Sequence, residues 1–321
     1  MRPALILPLF LLAVLLPACA GDAPSVPGNS PRTAAPAARN PDPRTLEGAW
    51  EGTGESGRYV RFEGSTFTFV ENGRIAEGRI LNYIPGAMVI RLFGIRQIMD
   101  VAVRGDTLTM KPRKADYAGA PQTYRRRRDI PPELALAPAP IARARTIPPA
   151  RKAALQRELA RRESEDRAAH APGARPEDTP RVVADNGDWL RKTVAEIGWI
   201  DAARFDLNAS FSAALIAEHT SDLPLMLAIL PEIEMDMKMG SKVATPYASL
   251  YDRIRLMRGD QQKYGSQILR NSAGEMLILP LENRATADDD RKAIGLPPFA
   301  KHLEALKRFN NGRDVQVLEE K

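Results

Sequence analysis

The sequence predicts two folded units of different class, a small antiparallel all-β barrel or sandwich followed by a mainly helical α+β domain. Three observations carry this. Short runs rich in β-branched and aromatic residues, punctuated by glycine, fill residues 46–128. Apolar residues at helical spacing take over from Asp185 and run to about residue 310. Between them, residues 129–184 are rich in Pro, Ala and Arg and read as a linker.

In the first unit, "RYVRFEG", "TFTFVENG", "RIAEGRIL", "AMVIRLFG", "QIMDVAVRGD" and "TLTMK" read as strands. Glu71-Asn72-Gly73 and Arg104-Gly105-Asp106 supply hairpin-turn chemistry between them. Regular spacing without an intervening helix implies a meander. Gly48 and Trp50 in "LEGAWEG" resemble the Gly-x-Trp opening of lipocalin-like barrels, and packing alone gives Trp50 the task of plugging a barrel base.

The excess of positive charge sits in and just ahead of the linker. The chain carries 46 Lys+Arg against 40 Asp+Glu, and residues 113–181 contribute 16 basic against 9 acidic. Neither folded unit is therefore expected to bind nucleic acid. Residues 150–169 read as a solvated helix; the linker reads first as a soluble spacer, and its basic charge offers at most an auxiliary contact to anionic lipid or envelope polymer.

The second unit begins with "DNGDWLRKTVAEIGW", stopped by Gly198. "LNASFSAALIAEHTSD" follows with Asn208 as the expected N-cap, and "LPLMLAILPEIEMDMKMG" is expected to kink or divide at Pro231. "TPYASLYDRIRLMRG" has Thr245 as expected N-cap and Gly259 as stop. Two short strands near residues 267–270 and 275–280, joined at Asn271-Ser272-Ala273-Gly274, and a last helical region complete the domain. Residues 311–321 read as a tail.

Residues 1–18 have the form of a secretory signal, with Arg2 before an apolar run from Leu5 to Leu16. Leu16-Pro17-Ala18-Cys19 resembles the lipobox of bacterial lipoproteins. That resemblance implies diacylglycerylation of Cys19, the only cysteine, and often a further acyl chain such as palmitate. Two or three chains hold a protein at a membrane essentially permanently. Ala20 rather than Asp after the cysteine implies the periplasmic face of the outer membrane. Residues 19–45 then form a Pro/Ala-rich tether.

The C-terminal domain resembles a bacterial family known as domain of unknown function sixty-six twenty-four. The likeness rests on Trp189, Gly198-Trp199, His219, Asp252-Arg253, the run Gly259-x-x-Gln262-x-Tyr264-Gly265-Ser266-Gln267, Arg291 and Gly295-Leu296-Pro297-Pro298. Glu218 stands where the family pattern has Gln, and the following acidic residue is shifted to Asp222. The name implies no reaction, so the chemistry must come from the residues.

Asp252 and Arg253 lie on a helix apolar on two faces, so each must be paired or line a cavity. Arg255 is the expected partner if Asp252 is clamped. Gln262, Tyr264 and Gln267 offer amide and phenol groups, and Gly265 permits a sharp turn or a close approach. With Arg291 they form the candidate ligand-binding set, suited to a glycan or peptide. His219, Asp252 and Arg253 are the catalytic candidates. His219 sits at a helix C-terminus, where the dipole favours positive charge, so an acid or orienting role suits it better than a strong base.

Three readings stay open: a binding module for an envelope ligand, a hydrolase using the same pocket, and a structural staple. His170, His219 and His302 are scattered and give no zinc signature, so no metal or other cofactor is expected. Met235, Met237 and Met239 would present three thioethers to Cu(I) in an extended segment, but in a helix they spread around the axis.

Overall fold

The computed structural model describes residues 40–54, 57–71, 74–113, 121–171, 174–175, 177–270 and 275–319. The signal segment, Cys19, most of the tether, Asn72-Gly73 and Asn271–Gly274 lie outside the described residues. No helix among the described residues is long and apolar enough to cross a membrane.

Eight antiparallel strands close into a barrel: β1 Gly48–Gly52, β2 Tyr59–Glu63, β3 Thr66–Glu71, β4 Arg74–Ile84, β5 Ala87–Leu92, β6 Ile95–Arg104, β7 Thr107–Pro112 and β8 Gln122–Arg126. The runs read as strands from the sequence are β2 to β7; β1 shows there only as the Gly48-x-Trp50 opening, and the arginine-rich β8 is hidden. Closure comes from β8 pairing with β1, with Trp50 opposite Arg126 and Gly52 opposite Tyr124. Closing the sheet leaves no open edge to pair with another chain. The interior is a packed core that includes Val60, Phe62, Phe67, Met88, Ile90 and Leu108. A short helix, α1 (Pro43–Leu46), caps one end, and the buried Trp50 donates its indole N–H to the Leu46 carbonyl at 2.7 Å. The Arg126 guanidinium lies 4.0 Å from the Trp50 ring centroid. Trp50 is thus the barrel's plug.

The helical domain contains α2 (Pro149–Ala169), α3 (Asp178–Ile197), α4 (Leu207–Thr220), α5 (Leu223–Lys238), α6 (Ala244–Met257), α7 (Ala287–Ala293) and α8 (Phe299–Phe309). Asp206, not Asn208, caps α4 by accepting from the Ala209 amide at 2.8 Å. Helix α5 runs through Pro231 without dividing. Its start is anchored, with Asp222 accepting from the Leu225 amide and pairing with Arg191. Val243 rather than Thr245 occupies the N-cap of α6, with no side-chain cap bond. Met235 and Met239 are exposed while Met237 packs on the core, so the three thioethers do not share a side.

A small sheet has the order β11 (Val315–Val317), β10 (Met276–Ile278), β9 (Ile268–Arg270), so part of the expected tail pairs parallel to β10.

The expected linker docks rather than swings. Leu134 is buried in a 3-10 turn, and backbone bonds run from Ala139 to Pro224 and from Ala142 to Val194. Helix α2 exists as read, but it is not simply solvated. It buries Leu155, Leu159, Arg162 and Asp166, a single stripe at helical spacing packed on α3 and α4.

The two units share one core. Ala49, Val70, Ile75 and Ala76 of the barrel join the same apolar cluster as Leu190, Ile216 and Leu250. Arg79 donates to Asp260 at 2.6 Å and Arg258 to Glu77 at 2.9 Å across the join. Gly259, with φ +72°, lies so close that an added Cβ would sit 2.8 Å from the Arg79 amide nitrogen.

Candidate functional site

The dense polar run after α6 folds back on the helix. Asp252 is fully buried, and its carboxylate accepts from the amides of Lys263 (2.7 Å), Tyr264 (3.0 Å) and Ser266 (3.0 Å) and from the Ser266 hydroxyl (2.8 Å). Arg255, its expected clamp, instead pairs with Glu282 at 3.0 Å and donates to the Gln261 carbonyl. Burial pushes the Asp252 carboxyl up, and the surrounding donors pull it back.

Gln262 is equally enclosed. Its amide nitrogen donates to the carbonyls of Leu279 (2.6 Å) and Gln267 (3.2 Å), and its oxygen accepts from the Gln267 amide at 2.8 Å. Gln267 reaches to α4 and α6, donating to Glu218 Oε1 at 2.7 Å and to the Ser249 carbonyl at 3.0 Å. Arg291 donates to the carbonyls of Tyr264 (2.6 Å) and Pro297 (2.7 Å). Gly265 has φ +70°, and an added Cβ would lie 2.2 Å from the Phe299 ring, so ring packing accounts for the glycine.

Residues 169–314 match a family model described as a family of unknown function (DUF6624). This region is similar to DUF6624. No curated protein and no solved structure matches the chain. The match begins ahead of Asp185, where the likeness in the sequence was read to start, and so takes in the end of α2. Within the DUF6624 region the candidate ligand-binding residues come together, but around one another. Gln262, Tyr264, Gln267 and Arg291 are each at most 5% exposed. Their side chains hold the loop instead of lining an open cleft.

A second cluster lies beside this staple, and sequence reading missed it. His219 Nδ1 bonds to Asp166 Oδ2. His170, the C-cap residue of α2, places its ring centroid 4.3 Å from that of His219. His170 Nδ1 lies 2.8 Å from the Asp166 carbonyl and 3.6 Å from its Oδ2. Asp166 is fully buried, His219 is 8% exposed and His170 only partly covered. Burial pushes the His170 imidazole below its ordinary pKa, helped by the neighbouring His219. Asn186 donates to Asp166 Oδ1 at 3.4 Å and accepts from Arg162 at 3.1 Å. His302 stays apart, bonded to the Gly265 backbone. The only sequence signal for the cluster was Asp166 and His170 four residues apart, one helical turn.

Arg253 connects the two clusters electrostatically. It interacts with Glu218 and with His170. Its Nη2 donates to the Ser221 hydroxyl at 2.9 Å, while its Nε has no hydrogen-bond partner among the described residues. The residue is 7% exposed, and burial pushes its pKa down to about 10, opposed by Glu218. Glu218, also buried, is shifted up by desolvation and opposed first by His219. Arg74, at the start of β4, is exposed yet shifted down by desolvation and felt by Arg253. The barrel thus contributes a second guanidinium that acts on Arg253. A recess of about 550 Å³ lies elsewhere, on Arg145, Lys152 and Arg204 among others.

Proposed function

We propose that the chain is a lipid-anchored bacterial envelope protein whose helical domain binds an acidic envelope ligand, the carboxylate or phosphate of a glycan or peptide. The observation that carries the ligand class is the Arg253 guanidinium. It is buried, makes one hydrogen bond to a neutral hydroxyl, and leaves Nε without a partner among the described residues. Buried polar groups are ordinarily matched, and a guanidinium matches planar anions best. Arg74 adds charge of the same sign nearby.

The anchor rests on Leu16-Pro17-Ala18-Cys19 and on the apolar run before it, and Ala20 favours the outer membrane. The barrel, lipocalin-like in its Gly48-x-Trp50 opening, has an interior filled by its own side chains and serves as a platform.

A hydrolase is the second reading. It is favoured by the Asp166–His219 pair, a carboxylate-oriented imidazole of the kind used in acid–base catalysis. The test is calorimetric titration with carboxylate-bearing cell-wall fragments. Binding by the wild type that is lost in Arg253→Met supports the binding reading, and equal binding by both defeats it. Turnover of those fragments that disappears in Asp166→Asn would favour the hydrolase.

A further inference from the structure

We infer that Asp166, His170 and His219 form a binding site for one divalent transition-metal ion of the zinc type. This ligand set excludes Arg253, so the inference stands whether or not Arg253 binds anions. One candidate ligand atom from each of the three residues lies within 4.8 Å of the others. A tetrahedral ion with bonds of about 2.0–2.2 Å holds its ligands roughly 3.4 Å apart. The His170 Nδ1 to Asp166 Oδ2 separation is 3.6 Å, close to that spacing, whereas His219 Nδ1 bonds directly to Asp166 Oδ2 and must draw back from it to admit the ion.

Local electrostatics favour a cation there. His170 caps the C-terminus of α2 and His219 lies in the last turn of α4, so two helix ends bring their negative poles to one point. Asp166 adds a carboxylate, and the buried Glu218 adjoins His219. Arg253, whose charge is felt at His170, opposes a cation.

The supporting shell is also built. Asn186 donates to Asp166 Oδ1, and Arg162 fixes Asn186. Such outer bonds orient ligands around metals. Two imidazoles with one carboxylate select zinc-type ions over calcium or magnesium, which prefer all-oxygen shells. The partly exposed His170 leaves a route for the ion and for a fourth, non-protein ligand.

The test uses the full chain without an added histidine tag, stripped with chelator and titrated with Zn²⁺ by calorimetry. The expected result is one equivalent bound, weakened about tenfold or more by His170→Ala and by His219→Ala. His302→Gln and the Met235→Leu/Met239→Leu pair should bind as the wild type does. Co²⁺ should give visible absorption bands that vanish on Zn²⁺ addition, a readout that a loss of stability alone would not produce. Should His219→Ala fail to fold, His170→Asn at the more exposed ligand carries the test. Arg253→Met should keep Zn²⁺ binding even where anion binding is lost. Absence of saturable Zn²⁺ binding by the wild type, or undiminished binding by the His170→Ala/His219→Ala double variant, overturns the inference.

Discussion

Gln267 Nε2 donates to Glu218 Oε1 at 2.7 Å, joining the loop after α6 to the last turn of α4 across forty-nine residues of sequence. This bond places the staple directly beside His219. Damage to the loop should therefore be felt at the histidine cluster, and stability measurements must accompany every functional one.

Asp252→Ala should destabilise the protein by about 3 kcal/mol or more. It strands several buried donors at once, and each unmatched group costs roughly 1–3 kcal/mol. Asp252→Asn keeps one acceptor oxygen and should lose less. Urea unfolding measures both, and a wild-type midpoint in Asp252→Ala would show that the carboxylate is not a staple.

Gly259→Ala should cost about 2–3 kcal/mol. The residue sits at φ +72°, where a Cβ is disfavoured by roughly 1–2 kcal/mol, and the new methyl would press on the Gly78–Arg79 backbone. The barrel and the helices should be loosened together. Calorimetric scanning of the variant would show one depressed transition rather than two, with unaltered melting as the contrary result.

His302 is buried, and its pKa is lowered to about 4, mainly by desolvation and then by Arg291. The unfolded chain protonates it near pH 6.5, ahead of the folded one. Its contribution is therefore fully present above pH 6.5, falls as the pH drops towards 4, and stays lost below. The loss should total about 3 kcal/mol. Comparing unfolding free energies of the wild type and His302→Leu from pH 7.5 to 4 checks this, because the variant should lack that part of the slope.

Cys19→Ala should move the protein from the membrane to the soluble periplasmic fraction and abolish incorporation of labelled palmitate. Fractionation of cells expressing each form reads the result. Membrane retention of the variant would defeat the lipid-anchor proposal.

The barrel was legible because alternating burial leaves a mark on sequence: Val60 and Phe62 point inward while their neighbours do not. Strand β8 escaped because Arg125 and Arg126 follow its one buried residue, Tyr124, and charge masked the alternation. Helix α2 was visible as a helix but not as a packed one, since two positions of its buried stripe are Arg162 and Asp166. Their burial depends also on partners from other helices, Asn186 and His219, and sequence does not reveal those. The run from Gln262 to Gln267 was conspicuous for its polarity. An amide reads the same whether it will meet a ligand or a backbone carbonyl seventeen residues away, so its role became clear only in three dimensions. Asp166 and His219, fifty-three residues apart, were beyond any local pattern.

The apolar cluster that runs from Ala49 and Val70 into Leu190 and Leu250 has a mechanical consequence. Tension applied at the barrel end is borne by side-chain packing rather than taken up in a slack joint. Whatever grips the strands therefore also sets the heading of the helices, as a handle sets the direction of a blade.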